Sequence, residues 1–138
     1  MRIMYALAIA MALSTLAGAE DRCAKVEYQD HNSIDYGLSL RSVAGIAQDK
    51  AHTAIPNVCI AIFSDDSAHR RVAWTETDKN GAYRLPSLPD GKYRLVAAYD
   101  SLCPANVSLN VTRKAKAGTL ELIMQPRGLD SCSYGKLK

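Results

Sequence analysis

The sequence of 138 residues lacks the features that mark several common protein classes. It has almost no helical periodicity after its first 19 residues, and no linker or low-complexity stretch divides it. Its longest apolar run, 3–13, is shorter than the ~20 residues that span a bilayer, so we expect no stable membrane insertion. The formal net charge is only +3, and one short basic cluster, Arg113, Lys114 and Lys116, falls on a predicted loop. We therefore expect no nucleic-acid partner.

The N-terminus has the layout of a secretory signal peptide. Arg2 precedes the apolar run, and Ala17-Gly18-Ala19 fits a small-x-small cleavage site. We interpret 1–19 as a cleaved signal helix, the alternative being an uncleaved anchor. The predicted localisation is secreted or periplasmic.

Four cysteines, Cys23, Cys59, Cys103 and Cys132, all follow the predicted cleavage site. An even count in an exported chain indicates two disulfides, with three connectivities open. No pair is spaced as C-x-x-C and no histidine lies close to any of them, so we expect neither a zinc site nor a redox motif.

Short runs of alternating apolar and polar residues, separated by Gly, Pro, Asn and Asp, indicate an all-β sandwich or barrel. The segment 125–138 reads as a tail with little periodicity, held by Cys132. The predicted strands are 34–40, 43–48, 57–63, 71–77, 82–85, 92–99, 105–112 and 119–124.

One phrase occurs twice within 80–95, as Gly-Ala-Tyr-Arg-Leu at 81–85 and Gly-Lys-Tyr-Arg-Leu at 91–95. Asn80-Gly81 before the first copy predicts a hairpin turn, which we favour over a calcium loop because the other loop ligands are missing. Strand alternation predicts that the tyrosine and leucine of each copy are buried. It also predicts that Arg84 and Arg94 face solvent.

Four phrases occur in order: 45–49 (GIAQD), 55–58 (IPNV), 77–83 (TDKNGAY) and 88–95 (LPDGKYRL). Together they resemble the carboxypeptidase regulatory-like domain, which implies an all-β, seven-stranded Greek-key sandwich of the transthyretin-like (prealbumin-like) type. Ala47 and Asn57 depart from the usual family residues. The predicted organisation is signal peptide 1–19, N-terminal extension with a further strand 20–41, sandwich 42–124 and tail 125–138. The resemblance implies an accessory module whose motif residues are structural, so no catalytic residue is carried over.

In such a Greek-key topology, strands 57–63 and 92–99 are expected to pair antiparallel. That pairing would bring Cys59 near Cys103, and it would leave Cys23 to bond Cys132. We take this connectivity as a hypothesis.

Enzymes on similar sandwiches find little support in the sequence. Hydrolases of the transthyretin-related family end in Tyr-Arg-Gly-Ser, whereas residues 132–138 lack that arginine. Intradiol dioxygenases hold iron with an H-x-H pair, whereas His31, His52 and His69 are scattered. No G-x-S-x-G motif is present. We predict a protein that is not an enzyme and has no metal or cofactor.

Trp74 is the first candidate binding residue, because strand alternation places it on an outer sheet face if Ala73 and Thr75 point inward. The alternative is that Trp74 covers the core or packs beneath the N-terminal strand. Tyr99 is a second candidate with the same alternative. Asn106 and Asn110 lie in N-x-[ST] sequons, which matter only in a eukaryotic source.

The sequence thus predicts a secreted, non-enzymatic β-sandwich that serves as an accessory or binding module for a protein or glycan partner. The alternatives are a small hydrolase on the same fold and a purely structural envelope protein.

Overall fold

The computed structural model describes residues 23–28, 34–128 and 132–138, with only the backbone for 34–36. The predicted signal helix at 1–19 and His31 lie outside these ranges. The described chain is all-β, as predicted, and contains no helix that is long and apolar enough to cross a membrane. Its strands are β1 (Ile34–Leu40), β2 (Ala44–Gln48), β3 (Cys59–Ser64), β4 (Arg71–Glu76), β5 (Ala82–Arg84), β6 (Gly91–Ala98), β7 (Leu102–Cys103), β8 (Ala105–Val111), β9 (Leu120–Ile123), β10 (Gln125–Pro126) and β11 (Tyr134–Leu137).

The strands form a sandwich of two main sheets. The first has the order β1-β8-β6-β3-β4 and the second the order β11-β9-β2-β5, while β7 and β10 form a short separate ladder. The seven predicted sandwich strands correspond to β2 through β6, β8 and β9, and β1 is the predicted further strand. Strand β1 pairs with β8 in parallel, whereas β3 pairs antiparallel with both β4 and β6.

The core lies between the sheets and is built by strand alternation. Ile60 and Ile62 of β3 are fully buried, as is Leu95 of β6, and Leu120 and Leu122 of β9 cover them from the other sheet. Burial of such side chains contributes about 1.5–3 kcal/mol each. This is the main term that holds the two sheets together.

The turn at 78–81 is tight, as predicted, but it is not a hairpin. Oδ1 of Asp78 accepts hydrogen bonds from the backbone N–H groups of Asn80 and Ala82 at 2.8 and 3.0 Å. Gly81 has a φ of 73°, which favours glycine. The chain leaves β4 in one sheet and enters β5 in the other, because β5 pairs with β2 rather than with β4.

The two copies of the repeated phrase fold alike except at arginine. Tyr83, Leu85, Tyr93 and Leu95 are all buried, as predicted, and Arg84 is exposed. The prediction for Arg94 is wrong, since only 7% of this residue is exposed. It points away from the core, as alternation requires, but that side of β6 is covered as well.

The disulfide hypothesis is also wrong, since Cys23 bonds Cys59 and Cys103 bonds Cys132. Strands β3 and β6 do pair as expected, with Cys59 opposite Ala98. The chain then turns back at Tyr99, whose carbonyl accepts from the N–H of Leu102, and so carries Cys103 away from Cys59. Cys103 instead lies opposite Gln125 of β10, close to Cys132.

The segment 125–138 is more regular than predicted. Cys132 does hold it, but its last residues form β11, which pairs antiparallel with β9 from Tyr134 opposite Ile123 to Leu137 opposite Leu120. The run is short and has no apolar alternation, so its strand character comes from this pairing and not from its own pattern.

Candidate functional site

The side of the five-stranded sheet that points away from the core, called the outer face below, carries an unusual mixture of aromatic, aliphatic and charged residues. Because residues paired across strands point to the same side, the registers define two rows across it. The first row runs from β4 to β8 through Trp74, Ala61, Val96 and Asn106, and the second through Arg71, Phe63, Arg94 and Ser108. The predicted sequon residues Asn106 and Asn110 share this side of β8, and Asn106 is buried.

The segment 23–28 covers part of the outer face. Cys23 is disulfide-bonded to Cys59, and its carbonyl accepts a hydrogen bond from Nη1 of Arg71 at 2.9 Å. Val26 and Tyr28 pack on a small apolar cluster formed by Ala61, Phe63 and Val96. The segment is therefore a second layer on this sheet, anchored covalently at its N-terminal end.

Tyr28 makes the most specific contacts of this segment. Its ring meets Phe63 edge-on, with centroids 5.9 Å apart, and stacks on His69 with centroids 3.8 Å apart. His69 itself lies on the exposed turn between β3 and β4. Tyr28 thus links the apolar cluster to a solvent-facing loop.

Trp74 lies on the outer face, because Ala73 and Thr77 point inward and are buried. It is half-buried and packs on the same apolar cluster as Tyr28 of segment 23–28. It does not lie beneath β1, because β1 is at the opposite edge of the sheet. Val72, two residues away on this edge strand, is 44% exposed. The half-buried indole and the exposed valine form an apolar patch open to solvent.

Tyr99 does not join this patch. It is 37% exposed and follows the end of β6, on the far side of β3 from β4. The structure therefore does not bring the two predicted binding residues together, and a binding role for either remains a prediction.

Arg94 is the residue that the sequence prediction missed. Its Nη2 lies 4.0 Å from Oδ1 of Asp65, and its Cζ lies 5.5 Å from the centroid of the Tyr28 ring. In the part of the chain that the structure describes, its Nε and Nη1 are buried and have no hydrogen-bond partner. A signal was available, because Phe63 and Val96 are apolar on the side predicted to face water. Such a pattern indicates a sheet covered on both sides.

No described group has the make-up of a metal site. Cys23, Cys59 and Glu76 place ligand atoms within 4.8 Å of one another, but the two sulfurs are bonded to each other. His52 and His69 are exposed on separate loops.

Comparison with known families is decisive for the fold. A family model described as the carboxypeptidase regulatory-like domain matches residues 42–125. The chain belongs to this family. No curated protein sequence matches it significantly.

The family phrases of this carboxypeptidase regulatory-like domain act as scaffold. A Cβ on Gly45 would overlap the carbonyl oxygen of Leu120, so glycine is needed where β2 meets β9. Tyr83 donates from its hydroxyl to that same carbonyl at 2.6 Å. The hydroxyl of Thr77 donates to the carbonyl of Ile55 at 2.8 Å and accepts from the N–H of Val58 at 2.9 Å.

Among solved structures, the domain is similar to 5-hydroxyisourate hydrolase from Klebsiella pneumoniae, with a TM-score of 0.54 and 15% identity over 72% of this chain and 99% of that one. At this identity the likeness shows the transthyretin-like fold alone. A second match, 3-chlorocatechol 1,2-dioxygenase from Rhodococcus opacus, has a TM-score of 0.40 and 11% identity over 76% of this chain and 62% of that one.

The opposite side of the carboxypeptidase regulatory-like domain carries a shallow groove of about 690 Å³ beside Gly45, Ala82 and Glu121. Oε2 of Glu121 lies 3.5 Å from Nζ of Lys136, and Oε1 lies 3.3 Å from Nζ of Lys138. Burial opposes ionisation of Glu121, but the hydrogen bonds and charges of the two lysines outweigh it and hold its pKa below the usual value. This carboxylate is thus already neutralised by its own chain, and the groove is a weaker candidate than the outer face.

Proposed function

We propose that this carboxypeptidase regulatory-like domain is a secreted, non-enzymatic binding module, and that it contacts a protein or glycan partner through the outer face at Trp74. The observation that carries the proposal is the half-buried Trp74 beside the exposed Val72 on the edge strand β4. A large aromatic held in place by packing, with one side open to solvent, loses little side-chain entropy on binding.

Two further observations support the remainder of the proposal. The two disulfides are typical of a protein in an oxidising compartment, in agreement with the predicted signal peptide. The family phrases contribute to the scaffold at Gly45, Thr77 and Tyr83, which supports the proposal that these residues have a structural role.

The test is binding of the purified, oxidised protein to a glycan array and to immobilised extracellular protein fractions. Trp74→Ala should weaken the interaction about 30-fold or more if the indole is a central contact. Because Trp74 is half-buried, each variant must first show an unchanged circular dichroism spectrum and thermal midpoint within a few degrees.

Val72 and Ile46 offer a matched control. They are 44% and 43% exposed, but Val72 lies on the first sheet and Ile46 on the second. Val72→Ser should weaken binding and Ile46→Ser should leave it unchanged. Equal effects of the two would exclude the outer face as the contact surface.

The hydrolase alternative is tested on the same material by a broad substrate screen. Sustained turnover that co-purifies with the folded protein would show that the chain is an enzyme. Absence of both binding and turnover would favour the purely structural alternative.

A further inference from the structure

Strand β4 is an edge strand of the five-stranded sheet. It ends the order β1-β8-β6-β3-β4, and within the described residues no strand pairs with its second side. The N–H of Thr77 donates to the carbonyl of Val58 at 3.0 Å, so the backbone N–H and C=O groups of Thr77 and of every second residue before it point toward β3. Those of Trp74 therefore point toward the open side. An edge of this kind offers N–H and C=O groups to another strand.

Little in β4 discourages such pairing. Natural edge strands are protected by proline, by lysine or by being very short. Strand β4 has six residues, Arg71–Glu76, and contains neither proline nor lysine. Its pairing with β3 is irregular near its start, opposite Ile62 and Phe63. The edges of the second sheet are better protected, because β5 has three residues and β11 carries Lys136.

The charges around β4 allow the strand to complement itself. Arg70 and Arg71 stand at its start, Glu76 and Asp78 stand at its end, and residues 72–75 are uncharged. In an antiparallel pair of identical strands the start of each lies beside the end of the other, so opposite charges meet at both ends. A parallel pair would place like charges side by side. Strand β1, the other edge of this sheet, has no basic residue and so lacks this pattern.

We propose that β4 pairs with β4 of a second copy of this chain, antiparallel and centred on Trp74. Because paired residues share a side of the sheet, a two-fold axis must place one residue opposite its own copy. With Trp74 at this centre, Val72 lies opposite the partner's Glu76. Arg70 then lies opposite the partner's Asp78. Arg70 and Asp78 are exposed, and neither side chain forms a salt bridge in the part of the chain that the structure describes.

The pairing would extend the outer face across two copies of the chain. The two five-stranded sheets would join into one continuous sheet. Trp74 and Trp74 of the partner subunit would lie side by side on its outer face, so the apolar patch would contain residues of both copies. The inference goes beyond the proposed function, because the pairing needs no glycan or other protein.

Sedimentation velocity of the purified, oxidised protein at about 1 to 500 µM tests the association. We expect a reversible dimer with a dissociation constant of about 1–100 µM, because a six-residue edge buries less area than a standard interface. Arg70→Glu would place two acidic residues opposite each other at both ends of the pair, and it should weaken the dimer about tenfold or more. Arg113→Glu, the same charge change on the exposed loop after β8, is the matched control and should leave the dissociation constant unchanged.

Val72 tests the register of the pairing. Val72→Glu and Val72→Lys both remove the exposed valine, but only Val72→Glu adds an acidic residue opposite the partner's Glu76. The dimer of the Val72→Glu variant should therefore be weaker than that of the Val72→Lys variant by about tenfold. If Arg70→Glu does not fold, this pair of variants tests the proposal without it.

A cross-link tests the centre of the pairing directly. Residues that exchange hydrogen bonds across an antiparallel pair have Cα atoms about 5.5 Å apart, a distance that suits a disulfide. Trp74→Cys should therefore oxidise to a covalent dimer on a non-reducing gel. Ile46→Cys, at an exposed position of the second sheet, should remain monomeric.

Several outcomes overturn the inference. They are a monomer at every concentration, a dimer that tolerates Arg70→Glu, equal dimers of the two Val72 variants, and no covalent dimer of Trp74→Cys. A monomer that instead captures an extended peptide along β4 would assign the edge to another partner. A monomer whose partner binding is abolished by Trp74→Ala would overturn the dimer and leave the proposed function standing. A dimer whose partner binding is unaffected by Trp74→Ala would do the reverse.

Discussion

The hydroxyl groups of Tyr83 and Tyr93 occupy equivalent places in the repeated phrase, and we predict that they contribute unequally to stability. Tyr83 donates to the carbonyl of Leu120 at 2.6 Å in a buried hydrogen bond. Tyr93 donates at 2.7 Å to the carbonyl of Pro89, which lies on an exposed loop. Tyr83→Phe should therefore cost about 1–2 kcal/mol of unfolding free energy, and Tyr93→Phe less than about 1 kcal/mol.

Urea unfolding with the disulfides intact is the assay, because both variants should keep the slope of the wild type and differ only in midpoint. Loss of the Tyr83 hydroxyl leaves the buried Leu120 carbonyl without this donor, whereas water can reach the Pro89 carbonyl. Equal costs for the two variants, or a larger cost for Tyr93→Phe, would refute the reasoning.

The same residue makes a pH prediction. Burial raises the pKa of Tyr83 well above its ordinary value of 10.0, so the folded state keeps the proton at a pH where the unfolded state loses it. Stability from this group is full below pH 10 and falls as pH rises beyond it, by about 1.4 kcal/mol at pH 11. The Tyr83→Phe variant should not show this part of the loss of stability at alkaline pH.

Three other features give sharp expectations. Non-reducing peptide mapping should recover Cys23 joined to Cys59. Because this disulfide joins residues 36 positions apart, replacing both cysteines by serine should lower the free energy of unfolding by about 3–4 kcal/mol, as measured with denaturant. Gly81→Ala places a Cβ at a φ of 73° and 2.5 Å from the carbonyl oxygen of Ala47, so it should cost about 2 kcal/mol or more by thermal unfolding; a neutral result would contradict the turn geometry. The pKa of Glu121 is lowered in the folded state, so its carboxylate stabilises the fold above pH 4.5, and this stabilisation is lost as the pH falls through the folded-state pKa. The Glu121→Gln variant should therefore lose less unfolding free energy than the wild type on acidification. Identical acid-unfolding profiles for wild type and variant would show that Lys136 and Lys138 do not stabilise this carboxylate.

The alternation of apolar and polar residues predicted the sandwich, because each strand buries every second side chain in the core. Ile60 and Ile62 lie on the core side of β3, and Val58, just before the strand, is buried with them, as their alternation predicted. The phrases from Gly45 to Leu95 identified the family because backbone geometry demands particular residues at the turns, such as Gly81.

Prediction failed where a feature depends on a second covering layer. The burial of Arg94 and the partner of Cys59 both follow from segment 23–28 lying across the outer face. The alternation within β3 and β6 does not predict which segment covers the outer face. The sequence therefore predicted one residue of the candidate site, Trp74, but not the buried charge of Arg94 on the same face.

The disulfides also bear on how the protein matures. They join neighbours along the chain, the first cysteine with the second and the third with the fourth. For a chain exported N-terminus first, as we propose, Cys23 and Cys59 would meet the oxidising compartment before Cys103 emerges. Oxidation in order of arrival would then give the native pairing directly. The final bond would wait for Cys132, shortly before β11 completes the second sheet.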